Sequence, residues 1–190
     1  SYSYLDKYIL TGALRYDGSD IIGNDNQFTP LWNVGLRWNL HREEFMKRWM
    51  WVDQFAVRGG FGYTGSIDKN ALPFVVMTLG QSVIYDGQTV PTSFSYPNPN
   101  VKWQTKQDMN VGLDLSLFDY RLELGVNYYH NITRDVLDRK ALPYSSGRNE
   151  VTENVADIYN NGWEIDLGVT LLKNKSFQWY AKANIAINDN

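Results

Sequence analysis

The chain has 190 residues, of which 15% are aromatic and 21% charged, with no cysteine and a formal net charge of −3. It carries no basic stripe of the kind that holds nucleic acid, and, like some exported proteins, it builds no disulfides. No run of about 18 apolar residues is present to make a transmembrane helix, which excludes a helical membrane protein.

Seven segments share a period of two, the signature of a strand. The first sets Tyr8, Leu10, Gly12, Leu14 and Tyr16 against Lys7, Thr11 and Arg15. A link from Asp17 to Pro30 leads to the second, where Trp32, Val34, Leu36, Trp38 and Leu40 oppose Asn33, Gly35, Arg37 and Asn39. In the next link, His41 to Gln54, the segment Glu43 to Trp49 is expected to wind one helical turn. The third strand alternates Phe55, Val57, Gly59, Phe61 and Tyr63 with Ala56, Arg58, Gly60, Gly62 and Thr64. Its tract Gly59-Gly60-Phe61-Gly62 lies inside a strand, so it reads as easing barrel curvature or leaving room for a plug, not as a phosphate cradle.

After an excursion from Ser66 to Asn100 comes the longest run, Val101 to Leu117, with odd positions apolar or neutral and nearly every even position polar. That is about twice the usual strand length, and a tilted strand needs only about 9–11 residues to cross a bilayer. Phe118, Asp119 and Tyr120 make a tight turn into the fifth strand, in which Leu122, Leu124, Val126 and Tyr128 oppose Arg121, Glu123, Gly125 and Asn127. A long link from Thr133 to Ile158 precedes the sixth, Trp163 to Leu171. A tight turn at Lys173, Asn174 and Lys175 opens the seventh, Phe177 to Ile187.

The two faces name their solvents. Apolar faces carry Trp, Tyr or Phe near their ends and Leu, Val, Ala or Gly between, which is an aromatic girdle around a hydrocarbon band. Polar faces hold Lys, Arg, Asp, Glu and Asn deep in the strands, as a wet or plugged lumen requires. Tight turns at one end and long links at the other complete the pattern of an all-β, antiparallel transmembrane β-barrel whose long links are extracellular. Seven is an odd number where bacterial single-chain barrels have even ones, and the last strand stops at Asn188-Asp189-Asn190 without a terminal aromatic. Residues 1–190 are therefore expected to be an internal part of one larger barrel domain.

Asp6-Lys7-Tyr8 followed by Arg15-Tyr16-Asp17-Gly18-Ser19 resembles a "DKY…R.DGSS" segment, and Arg58-Gly59-Gly60-Phe61-Gly62-Tyr63-Thr64-Gly65 an "LR.SYG.TGN" one. Pro97-Asn98-Pro99-Asn100 leading to Lys102-Trp103-Gln104 is similar to "NP.L.WE", and Asn110-Val111-Gly112-Leu113-Asp114 to "N.GLD". Tyr128-Tyr129 with Thr133-Arg134-Asp135, Leu142-Pro143 with Gly147, and Asn154 through Glu164 continue the series in order. Together these resemble the SusC/RagA class of TonB-dependent outer-membrane transporters of Bacteroidetes. Gln104, Ala156 and Ser66 depart from that pattern without breaking the strand code. The resemblance implies a barrel of the 22-stranded plugged type that imports oligosaccharides or oligopeptides beneath a SusD-like surface lipoprotein and is energised by TonB. The plug domain and TonB box of that class have no counterpart among these residues.

The resemblance assigns no catalytic residue, cofactor or metal. In the excursion Ser66 to Asn100, Tyr85, Phe94 and Tyr96 are candidates for stacking on a sugar or for meeting the lipoprotein; the bland alternative is that they pack the loop on itself. His41 and His130 have no neighbouring ligand at metal spacing, and His130 is expected at a strand end in water. Asp17, Asp20 and Asp25, with Asn24 and Asn26, lack the spacing of a calcium loop and read as a solvated turn. The rival functions are a soluble β-sandwich carbohydrate-binding module and a glycosidase, the latter using facing carboxylates drawn from Asp114, Glu123, Glu164 and Asp166.

Overall fold

The computed structural model describes residues 1–20, 22, 27–67, 75–85, 88–94, 101–146, 150–174 and 176–190, with 78–85 and 88–94 as backbone only. Eight strands form one antiparallel meander in the order β1-β2-β3-β4-β7-β8-β9-β10. They are β1 Tyr2–Tyr4, β2 Tyr8–Gly18, β3 Phe28–Asn39, β4 Val52–Ser66, β7 Gln104–Leu117, β8 Leu122–Ala141, β9 Glu150–Lys173 and β10 Gln178–Asp189. Between β4 and β7 the chain makes a separate hairpin of β5, Met77–Tyr85, and β6, Gln88–Phe94. Among the described residues the sheet is open: β1 pairs only with β2, and β10 only with β9.

Register is what turns seven separate alternations into one surface. Tyr8, Trp38, Val57, Leu113, Val126, Ile165 and Ile185 stand in one cross-strand row, and Leu10, Leu36, Gly59, Val111, Tyr128, Trp163 and Ile187 in the next. A slip of one residue in any pair would mix apolar with polar groups on both faces. The polarity of that surface is the reverse of a soluble sheet. Leu31, Asn39, Ala56, Ser116 and Thr170 are buried on the polar face, whereas Leu14 is 79% exposed and Ile185 61% exposed on the apolar one. Aromatic contacts mark the two edges of that face. Tyr8–Trp38 and the stack Trp49–Trp51–Phe118 lie at the tight-turn end, and Tyr16–Phe28, Trp32–Tyr63 and Tyr128–Trp163 towards the other.

The turns show why they are tight. Leu5 and Asp6 both take φ 52°, and Lys7 N–H closes on Tyr4 O at 3.0 Å, the mirror-image turn that suits strand twist. Phe118, Asp119 and Tyr120 all stand near φ 60°, a left-handed run held by Arg121 N–H to Leu117 O at 3.0 Å and by Tyr120 N–H to Asp53 Oδ2 at 3.0 Å. The expected helical turn in the His41 to Gln54 link is present as 3-10 segments at Leu40–Arg42 and Glu44–Arg48.

Four expectations are corrected. The sheet has eight strands and not seven, because Tyr2–Tyr4 pairs with β2 over a segment too short to show a period. β7 begins at Gln104; Val101 and Trp103 leave the apolar face and pack with Ile22 in a small buried cluster, the indole N–H donating to Gln27 O at 3.4 Å. Two apolar residues spaced by two look the same whether a bilayer or a loop covers them. The link Thr133 to Ile158 is an extension of β8 and β9, which reach 20 and 24 residues. At ~3.3 Å per residue β9 spans ~80 Å, more than twice what a crossing needs. A bulge at Asp135, φ 56°, interrupts the period there, as pairing steps from Thr133↔Ile158 to Val136↔Ala156. His130, finally, lies within β8 on the apolar face, between Met109 and Asn161, and not at a strand end.

Candidate functional site

The polar face carries a charged band nearest the tight-turn end. Arg37 and Arg58 stand opposite each other on β3 and β4, and Asp114 on β7 lies one row below. Asp114 accepts from Arg37 Nη1 at 3.2 Å and lies in an ion pair with Arg58, 3.4 Å from its Nη2. Arg37 Nε also donates to Asn39 Oδ1 at 3.0 Å, and Arg58 reaches across to Asn127 Oδ1. Gly112 makes that reach feasible, since a Cβ there would stand 2.7 Å from Arg58 Nε. Further along, Lys182 pairs with Asp166 at 3.4 Å, and the Tyr180 hydroxyl donates to Glu123 Oε2 at 3.2 Å while its ring end fills the place of a Gly168 side chain. Three of the four carboxylates from which a glycosidase pair would be drawn, Asp114, Glu123 and Asp166, are thus tied to wall partners.

A second cluster sits below the strands, at the membrane edge. Glu43, in the link after β3, accepts from Lys7 Nζ at 2.9 Å, Tyr8 hydroxyl at 2.8 Å and Trp38 Nε1 at 3.1 Å. Asp6 pairs with Arg42 at 2.8 Å, and Asn39 Nδ2 donates to Asp6 O at 2.7 Å. The motif Asp6-Lys7-Tyr8 is therefore a clasp between the first turn and the next link. Sequence reasoning missed this role because Glu43 lies 36 residues from Lys7, and no local period connects them.

Those donors, Lys7 first and then Tyr8 and Trp38, hold the Glu43 carboxyl at about 2, well below its ordinary 4.5. A depressed carboxylate pKa contributes stability that is complete above the unfolded value and is lost as pH falls through the folded one. In the full-length protein labelled with 5-fluorotryptophan, the Trp38 resonance should hold its position from neutrality to about pH 3 and move only below that. Movement centred near the ordinary carboxylate value would show that the clasp does not form.

The sequence candidates fall in different places. Tyr85 pairs with Gln88 at one end of the β5–β6 pair, and Phe94 pairs with Met77 at the other. At ~3.3 Å per residue these backbone positions are roughly 25 Å apart along the hairpin. Tyr96 lies outside the described residues, as do Asn24, Asp25 and Asn26. Asp17 pairs with Arg15 at 2.7 Å. The His41 ring lies against the Phe55 backbone, with Nδ1 3.3 Å from the Phe55 N–H. Among the described residues no group of three His, Cys, Asp or Glu side chains is placed to hold a metal.

A meander with its apolar face uncovered and twice girdled, and a charged wall behind it, is part of an outer-membrane β-barrel. The family model for the TonB dependent receptor-like β-barrel matches residues 1–190, and the chain belongs to that family. It is 32% identical to TonB-dependent receptor P3 of Formosa agariphila, over 100% of this chain and 19% of that protein. It is 28% identical to TonB-dependent receptor SusC of Bacteroides thetaiotaomicron, over 100% of this chain and 20% of that protein. Among solved structures, the RagAB peptide transporter superposes with a TM-score of 0.82 at 26% identity, over 96% of this chain and 20% of that one. The chain thus spans about a fifth of the length of the relatives it matches.

Proposed function

We propose that residues 1–190 form part of the wall of an active importer that takes oligosaccharides or oligopeptides across the outer membrane. The observation that carries this reading is the inverted polarity of the sheet: lipid outside, ion pairs inside. Similarity to a protein named SusC and to a peptide transporter supports it. The rest of the polypeptide supplies the plug and the TonB contact, and a SusD-like lipoprotein covers the extracellular mouth.

In this reading the excursion between β4 and β7, with Tyr85, Phe94 and Tyr96, meets substrate or lipoprotein. β4 and β7 pair with each other from Val52↔Leu117 to Ser66↔Gln104 without help from the excursion. Deleting residues Asp68 to Ser95 from the full-length transporter should accordingly leave the barrel assembled, while substrate uptake or lipoprotein co-purification falls. Normal uptake with normal co-purification would sink the assignment and move suspicion to Asp17–Pro30 and to the β8–β9 extension.

A further inference from the structure

Three links leave the extracellular end of the sheet: the one from β2 to β3, the excursion between β4 and β7, and the β8–β9 ribbon. Connecting segments ordinarily open and shift independently of one another. Here one buried cluster takes residues from all three. Ile22 of the first link is 1% exposed, and Val101 and Trp103, where the excursion returns to the sheet, are 0% and 9% exposed. Ile67, where the excursion departs, and Leu137, on the ribbon, pack against them. That burial is achieved by the chain's own residues and asks for no covering partner.

Polar contacts run through the same place. The β7–β8 ladder ends at Thr105↔Arg134, and beyond it the side chain of Asn154, on β9, does for Lys102 what a neighbouring strand would. Its Oδ1 accepts from Lys102 N–H at 3.0 Å, and its Nδ2 donates to Lys102 O at 3.2 Å. A primary amide can do both at once. Nδ2 also donates to Asp135 O at the bulge of β8, and the Asp135 N–H donates to Asp157 Oδ1 at 3.3 Å. On the other side, the Trp103 indole N–H donates to Gln27 O at 3.4 Å, and that oxygen accepts from Ser19 N–H at 2.9 Å. The indole lies over the end of β4, where a Cβ on Gly65 would stand 3.3 Å from Trp103 Cε3.

We infer that this cluster is a coupling device: Asn154 and Trp103 are straps that join the ribbon at Asp135 to Leu137, the return of the excursion at Val101 to Trp103, and the β2–β3 link at Ser19, Ile22 and Gln27 into one body. Packed groups of this kind shift together or come apart, because close packing does not stretch. A displacement of the excursion is therefore felt at the Asp135 bulge, which stands at φ 56° and is held through both its N–H and its C=O. A displacement of the ribbon is felt in turn at the β2–β3 link. The inference concerns the extracellular links and holds for any cargo.

Amide hydrogen exchange of the full-length transporter in lipid vesicles reads such coupling directly. Asn154→Ala should accelerate exchange about tenfold at Lys102 and Asp135, which it holds, the equivalent of about one good hydrogen bond. It should do so by a comparable factor at Ser19, which it reaches only through Trp103. Ile22→Ala should act in the reverse direction and accelerate Lys102 and Asp135 from the far side. Exchange from Gly112 to Leu115, in the middle of β7, should stay unchanged, and heat-modifiable mobility checks that each variant assembles. Where Asn154→Ala does not assemble, Asn154→Asp, which keeps the acceptor for Lys102 and loses the donor, carries the same test. Acceleration confined to the residues that each side chain touches overturns the coupling, and so does no acceleration at all. A rise that spreads into β7 overturns it as well, since it marks a loosened sheet and not a local cluster.

Discussion

Leu113→Arg should destabilise the assembled full-length barrel by about 2–4 kcal/mol, the cost of a cationic side chain on the lipid face near the midplane. Leu113 is flanked in its row by Val57 and Val126. It lies between the tight-turn girdle of Trp51 and Phe118 and the upper aromatics Tyr63 and Tyr128. The neighbouring residue gives the contrast. Asp114 faces the lumen and is 27% exposed in its side chain, so Asp114→Asn keeps its hydrogen-bonding shape and loses a partly wet ion pair. Partly exposed pairs are worth about 0–1 kcal/mol, and the variant should stay close to that. Denaturant titration of the transporter in lipid vesicles reads both values. Equal tolerance of the two substitutions would show that the inside-outside assignment is wrong.

Gly62→Val should cost about 1–3 kcal/mol, the range for forcing extra carbons into a packed site. A Cβ at Gly62 would stand 2.7 Å from Asn33 Cβ, 2.8 Å from Trp32 O and 3.0 Å from Asn33 Cα. Two of those atoms are backbone of the paired strand and cannot turn aside. Gly60→Ala first meets the amide end of Asn110, which rotates, and should be milder. At Gly59 the nearest atom is 3.9 Å away, so Gly59→Ala should fall within about 0.5 kcal/mol of the parent. The fraction of each variant recovered as heat-modifiable barrel, with denaturant midpoints, ranks the three. A uniform effect would show that the tract responds to β-propensity and not to space.

The alternation of seven segments determined that this is an all-β wall, which residues face lipid and which the lumen, and where the tight turns fall. That much is local information: a period of two needs only the pleat of one strand and a bilayer on one side of it. The local logic fails wherever both faces are wet. β8 and β9 continue past Thr133 and before Ile158 as a ribbon whose pairs Arg139–Glu150 and Lys140–Glu153 leave no apolar period, so those residues read as a loop.

What only the tertiary structure decided are the contacts between residues distant in sequence. Arg37 and Asp114 are 77 residues apart, and Lys7 and Glu43 are 36 apart. No spacing rule joins them, because their proximity depends on how every intervening strand registers with the next. Val101 and Trp103 make the same point from the apolar side. Their alternation was legible, but whether lipid or Ile22 would cover them depended on where the chain left the sheet.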